Sequence, residues 1–290
     1  MKIKSGWQKD LLSRTAINSV AIVIVATLLF LAYIAFWQWI FVGFFSLIAA
    51  LVVWEYYQIV KKIDLYPALT LGMSSTILYI FSIFLKVHWG GNWVALPALL
   101  LGLALFGFFI HFAFSGQSPI VNIATSFFGL IYIAVPWGLL LEIMYVSPEG
   151  IWWVIYLIAV TKSADIGGYF IGRYFGRRKL ASTLSPKKTY AGAVGGLIAS
   201  LVMSCAIAAL GKYFSVFASF HYVAALLLGL CLGIVGQIGD LAESLLKRDA
   251  QVKDSNKIPG VGGLLDMVDS LLFNIPVVYL FLRFFYDYHY

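Results

Sequence analysis

Of the 290 residues, 62% are hydrophobic and 11% charged, against about a quarter charged in soluble domains, which excludes a water-soluble globule and predicts an all-α polytopic membrane protein. The formal net charge of +7 would suit nucleic acid. The cations, however, stand in short stretches between apolar runs where no nucleic-acid module has room to fold, so anionic lipid and nucleotide phosphate are the better partners.

Runs near the roughly 20 residues that cross a bilayer number about nine: 17–36, 38–58, 66–86, 93–113, 119–146, 151–171, 191–210, 222–246 and 263–285. The first is too long for a signal peptide and lacks a small-residue cleavage site, so it reads as a retained anchor. The fifth is overlong and is expected to bend at Pro136. With the N-terminus on the cytoplasmic side, sixteen of the twenty Lys and Arg residues fall on that side, as the positive-inside rule requires. Residues 1–150 then form an N-terminal packing region, in which Glu55 snorkels from a helix end and Glu142 lies near an outer end, both in structural roles. Residues 151–290 form the catalytic region.

Cys205 and Cys231 lie inside apolar runs and read as small buried side chains, not a disulfide framework. His88, His111, His221 and His289 are scattered without metal-ligand spacing.

The sixth run carries Lys162 and Asp165, an intramembrane ionisable pair of the kind that usually serves function. Gly168, Gly172 and Gly176 follow at four-residue spacing, which suits a helix-packing face better than a nucleotide loop. The stretch 173–189 reads RYFGRRKLASTLSPKKT. Its Ser185, Lys187, Lys188 and Thr189 stand just before the seventh run, where the positive end of a helix favours an anion; a cluster that only sets topology is the alternative.

Six of the thirteen acidic residues fall within 240–269. Asp240 and Glu243 are three apart and share a helix face, with Lys247 one turn on; Asp266 and Asp269 repeat the spacing. Two helices can thus present carboxylates to one point, the oxygen-rich setting in which Mg²⁺ is held together with water and substrate phosphate. Asp249 and Asp254 are open to a second reading, simple pairing with Lys247, Arg248, Lys253 and Lys257. Pro259, Gly260, Val261, Gly262 and Gly263 form a turn whose free amides could cradle anionic oxygens.

These residues resemble the phosphatidate cytidylyltransferases, or CDP-diacylglycerol synthases. The matching text is Ser244, Leu246, Lys247, Arg248, Lys253, Asp254, Ser255, Pro259, Gly260, Gly262, Gly263, Asp266 and Asp269. An upstream block runs from Asp165, Gly167, Tyr169, Gly172 and Arg173 through Gly176, Lys179 and Leu180 to Ser185, Pro186, Lys187, Lys188, Thr189 and Gly192. The family usually has His at Val261, Arg at Met267 and Glu at Ala191, and one more residue between Asp254 and Pro259; the acidic and basic residues are in place.

The resemblance implies condensation of CTP with phosphatidate, a divalent metal, normally Mg²⁺, beside which a monovalent cation can stand, and an integral protein of the inner membrane with its site on the cytoplasmic side. It assigns Asp240, Asp266 and Asp269 to metal, Lys253 and Asp254 to the catalytic set, and Ser185, Lys187, Lys188, Thr189, Lys247, Arg248, Gly262 and Gly263 to substrate. A homodimer is allowed. The rival readings are a CTP-dependent enzyme of isoprenoid lipids, either a polyprenol kinase or an isoprenoid-lipid cytidylyltransferase, and an ion-coupled transporter using Lys162, Asp165 and Asp240 as a relay.

Overall fold

A computed structural model of the chain describes residues 32, 34–115, 118–146, 149–216, 220–256 and 262–285. The expected first span, 17–36, lies almost wholly outside them, as do Lys257, Pro259, Gly260, Val261 and His289. With no water in the bilayer core, each apolar run must satisfy its own backbone, and helices do so.

The helices are α1 (Ala35–Val60), α2 (Leu69–Trp89), α3 (Leu96–Ser115), α4 (Pro119–Gly129), α5 (Val135–Val146), α6 (Gly150–Phe175), α7 (Tyr190–Tyr213), α8 (Tyr222–Asp249) and α9 (Leu264–Phe285). Because α4 and α5 join through a π-helical turn, Leu130–Ala134, they form one span, and eight spans are present among the described residues. They match the eight runs expected after the first. The π turn ends two residues before Pro136, whose missing N–H would otherwise interrupt the ladder.

In the first half, polar groups satisfy one another across helices. Tyr57 donates to the Ser126 carbonyl at 2.7 Å, and the Ser126 hydroxyl accepts from the Ala68 amide at the start of α2 at 2.9 Å. Glu142 is buried and pairs with Lys86 at 2.6 Å, consistent with a structural role. The reading of Glu55 is overturned. It is 2% exposed and faces the protein interior, so it does not snorkel.

In the second half α6 crosses α7 through glycine. A Cβ on Gly168 would lie 3.3 Å from the Gly192 carbonyl oxygen, and one on Gly192 would lie 2.8 Å from that of Gly168. Only hydrogen fits between these backbones, which accounts for the spacing of Gly168, Gly172 and Gly176 as a packing face. An aromatic cluster closes the far end: Trp153 and Phe220 meet edge to face at 4.9 Å, and the Tyr156 hydroxyl shares a 2.7 Å hydrogen bond with that of Ser204. Cys205 and Cys231 are free thiols, Cys205 half-buried and Cys231 exposed on the outer surface of α8.

The basic stretch between α6 and α7 has more order than its composition suggests. Strands β1 (Lys179–Ala181) and β2 (Ser185–Thr189) pair antiparallel, Lys179 opposite Thr189 and Ala181 opposite Ser185. β2 runs directly into α7, and the Thr189 hydroxyl caps that helix by accepting from the Gly192 amide at 3.1 Å.

Candidate active site

Between α6, the hairpin, α7, α8 and the first turns of α9 lies a cavity of about 640 Å³. Its lining carries the basic residues Lys162, Arg173, Lys179, Lys187 and Lys188 and the acidic residues Asp165, Asp240, Asp266 and Asp269. The glycine crossing of α6 and α7 forms part of the lining, and the absence of side chains there leaves room for a ligand beside the backbones.

Two of these lysines are paired with carboxylates of the lining. Lys188 Nζ lies 2.9 Å from Asp240 Oδ2. Lys162 Nζ lies 3.1 Å from Asp165 Oδ2 and donates to the Met267 carbonyl at 3.0 Å, tying α6 to the first turn of α9. Asp269 is 7% exposed; its Oδ1 accepts from the Ser270 amide at 2.5 Å and the Ser270 hydroxyl at 3.0 Å. Among the described residues no cation pairs with it. A buried carboxylate facing a polar cavity, with Asp165 and Asp240 also in the lining, calls for positive charge.

That donor set fits a hard divalent cation. Among the described residues no three His, Cys, Asp or Glu side chains form a complete metal cage. Mg²⁺ tolerates this, since it is usually held by one or two carboxylates with water and phosphate oxygens as the other ligands. Asp240 and Asp269 are the residues that would hold it.

A cavity lined by both basic and acidic side chains at the ends of membrane helices suits a reaction in which anionic phosphate meets a carboxylate-bound metal. The cytidylyltransferase family profile matches residues 14–285. This chain belongs to that family. Among curated relatives, a phosphatidate cytidylyltransferase of Chlamydia pneumoniae is 34% identical over 293 residues, covering 97% of this chain and 94% of the relative. One from Synechocystis sp. is 33% identical over 270 residues, covering 84% and 88%, and one from Haemophilus influenzae is 32% identical over 276 residues, covering 88% and 94%. The protein is a nucleotidyl-transferring enzyme of the membrane, and the transporter reading falls away.

Within this cytidylyltransferase, the residues singled out from sequence divide into two groups. Ser185, Lys187, Lys188, Thr189, Asp240, Asp266 and Asp269 line the cavity. Lys247, Arg248, Lys253, Asp254, Gly262 and Gly263 do not; they build the segment behind it. Lys247 is buried between Glu243 and Asp266 and is ion-paired to both. Arg248 donates from Nε to the Leu184 carbonyl at 3.1 Å, bracing the hairpin, and from a terminal nitrogen to the Val252 carbonyl at 3.2 Å. Lys253 and Asp254 are exposed.

Asp266 borders the cavity, yet its oxygens are turned away. Oδ1 faces Lys247, and Oδ2 accepts from the Ser255 amide and hydroxyl, each at 2.8 Å. Gly262 and Gly263 lie against carboxylates, not against the basic residues of the cavity. Gly262 has φ +91°, and a Cβ there would stand 2.6 Å from Asp266 Oδ2; a Cβ on Gly263 would collide with Ser255 Oγ and Glu55 Oε2. Asp165 and Glu55 were not in the expected site set. The signal for both is the same: a carboxylate inside an apolar run is expensive unless it has something to bind.

Proposed function

We propose that the protein is a phosphatidate cytidylyltransferase, converting CTP and phosphatidate to CDP-diacylglycerol and pyrophosphate at the cytoplasmic face of a bacterial inner membrane. The observation that carries the reading is the cavity, whose lining combines basic residues of α6 and the hairpin with Asp240 and Asp269, within a chain whose near-full-length relatives bear that name.

In the proposed reaction a phosphate oxygen of the lipid attacks the α-phosphorus of CTP. The new P–O bond forms as the bond from the α-phosphorus to the oxygen bridging to the β-phosphate breaks, and pyrophosphate leaves with that electron pair. A phosphomonoester is largely dianionic at neutral pH, so no side chain needs to remove a proton. The work is positioning and charge neutralisation. Lys187 and Lys188 are placed to hold phosphate oxygens, and Arg173 to meet the lipid phosphate at the exposed rim. Lys188 pairs with Asp240 and would turn to phosphate once a metal neutralises that carboxylate. Bound Mg²⁺ would supply further neutralisation of the phosphates and orientation of the reacting oxygens.

Orientation follows the same proposal. The hairpin, the end of α8 and the start of α9 share one end of the bundle, and they carry the basic residues that the positive-inside rule puts in the cytoplasm. The test is incubation of purified protein with CTP, phosphatidate and Mg²⁺, with mass spectrometry of the extracted lipid. CDP-diacylglycerol is the expected product. A CDP-linked or phosphorylated isoprenoid lipid formed in its place, when those substrates are offered, would move the assignment to the isoprenoid enzymes.

A further inference from the structure

Glu55 lies in the last two turns of the apolar helix α1, is buried, and has no lysine or arginine partner among the described residues. Its hydrogen-bond partners among the described residues lie in a segment about two hundred residues away. Oε2 accepts from the Leu265 amide at 2.9 Å and lies 3.0 Å from the Ser255 hydroxyl. Oε1 accepts from the Asn256 side-chain amide at 3.0 Å.

The physical meaning of each contact is distinct. Leu265 is the second residue of α9, and the first amides of a helix have no partner within it. A carboxylate there satisfies an orphan donor and interacts favourably with the positive end of the helix. Glu55 is therefore a cap supplied by another helix. The Ser255 hydroxyl has one proton and two carboxylates within reach, Glu55 Oε2 at 3.0 Å and Asp266 Oδ2 at 2.8 Å, so it joins α1 to Asp266. From Asp266 the chain of contacts continues through Lys247 to Glu243. Gly263 must be glycine because the backbone passes directly over Glu55 and Ser255.

We propose that Glu55 is a positioning residue for cytidylyl transfer: by capping α9 and holding Ser255 and Asn256 it fixes the helix start that seats Asp266 on Lys247 and Ser255 and brings Asp269 to the cavity. It does not line the cavity itself, and the basic residues of the lining stand on α6 and the hairpin. Loss of Glu55 should therefore misplace the carboxylates without weakening the sites for the nucleotide phosphates.

The experiment uses the full-length protein in detergent with Glu55→Ala, Glu55→Gln, Ser255→Ala and the Glu55→Ala/Ser255→Ala pair. Because a misplacement near 1 Å costs on the order of 100-fold, Glu55→Ala is expected to lower kcat by about 10- to 100-fold while the apparent KM for CTP stays within about twofold. Glu55→Gln should recover most of that rate, since one amide oxygen can still accept from Leu265 and Ser255 while Asn256 turns its own oxygen to the new NH₂ group. The double variant should lose less than the product of the single losses. Hydrogen exchange of peptides covering 262–268 should quicken in Glu55→Ala and recover in Glu55→Gln. Fully additive losses, a rise in KM alone, or unchanged exchange at 262–268 would overturn the proposal. If Glu55→Ala does not accumulate, Ser255→Ala carries the test, and unchanged turnover and exchange there would overturn it. The rate readout rests on the proposed reaction, whereas the exchange readout does not, so a failure of the substrate assignment would be seen separately as absence of product with the wild-type protein.

Discussion

Replacing Asp266 by asparagine separates a carboxylate that holds the segment from those that face the chemistry. Its side chain is 12% exposed, with Oδ1 at the Lys247 ammonium and Oδ2 accepting twice from Ser255 at 2.8 Å. An asparagine amide has one acceptor oxygen, so whichever way it turns, its NH₂ group faces another donor. Lys247 keeps Glu243. The loss is therefore nearer that of a hydrogen bond to a charged group, about 1.5–3 kcal/mol, than that of an orphaned buried charge. At about 2–4 °C per kcal/mol for a chain of this order of size, the thermal midpoint in detergent, followed by tryptophan fluorescence, should fall by about 3–12 °C. Turnover should fall with it. Asp240→Asn is the contrast: Asp240 is 39% exposed and pairs with Lys188, and an exposed pair is worth about 0–1 kcal/mol. Its midpoint should move little while turnover is lost. An Asp266→Asn protein with the wild-type midpoint, or an Asp240→Asn protein destabilised as much as Asp266→Asn, would refute this division of roles.

Three further outcomes are expected. Asp269→Asn, like chelation of divalent metal, should abolish turnover and leave a folded, membrane-inserted protein; a wild-type rate would remove Asp269 from the site. Lys188→Ala should raise the apparent requirement for CTP or phosphatidate about tenfold, equivalent to about 1.4 kcal/mol of transition-state binding, and unchanged steady-state kinetics would contradict a phosphate-binding role. Single cysteines at Lys187 and Lys253 should label with an impermeant maleimide only from the cytoplasmic side and one at Lys212 only from outside; labelling of Lys187 and Lys253 from opposite faces would split the site.

Apolar length and charge bias made eight of the described spans legible, because a bilayer leaves the chain few alternatives to a helix of about 20 residues. The same logic singled out Asp240 and Asp269, carboxylates set among apolar residues and glycine, and both line the cavity. The hairpin was not legible: three- and five-residue strands in a basic stretch give too short a period-2 pattern to read. Nor was the division between Asp266 and Asp269. Spacing puts both on one helix, but only the fold shows that Ser255 and Lys247 take up the oxygens of Asp266. Gly262 and Gly263 looked like an anion cradle because a glycine turn before a helix has free amides; their neighbours prove to be carboxylates. Glu55 was discounted because its partners lie far along the chain, and no local pattern records that distance.

The most direct test of the account follows the label from CTP. Purified protein is given phosphatidate and CTP labelled either at the α- or at the γ-phosphate, and the lipid fraction is counted. Attack at the α-phosphorus predicts that α-label enters the lipid while all γ-label leaves as pyrophosphate. Transfer of γ-label to lipid, or α-label that stays in the aqueous phase with every lipid phosphate offered, would contradict cytidylyl transfer at this site.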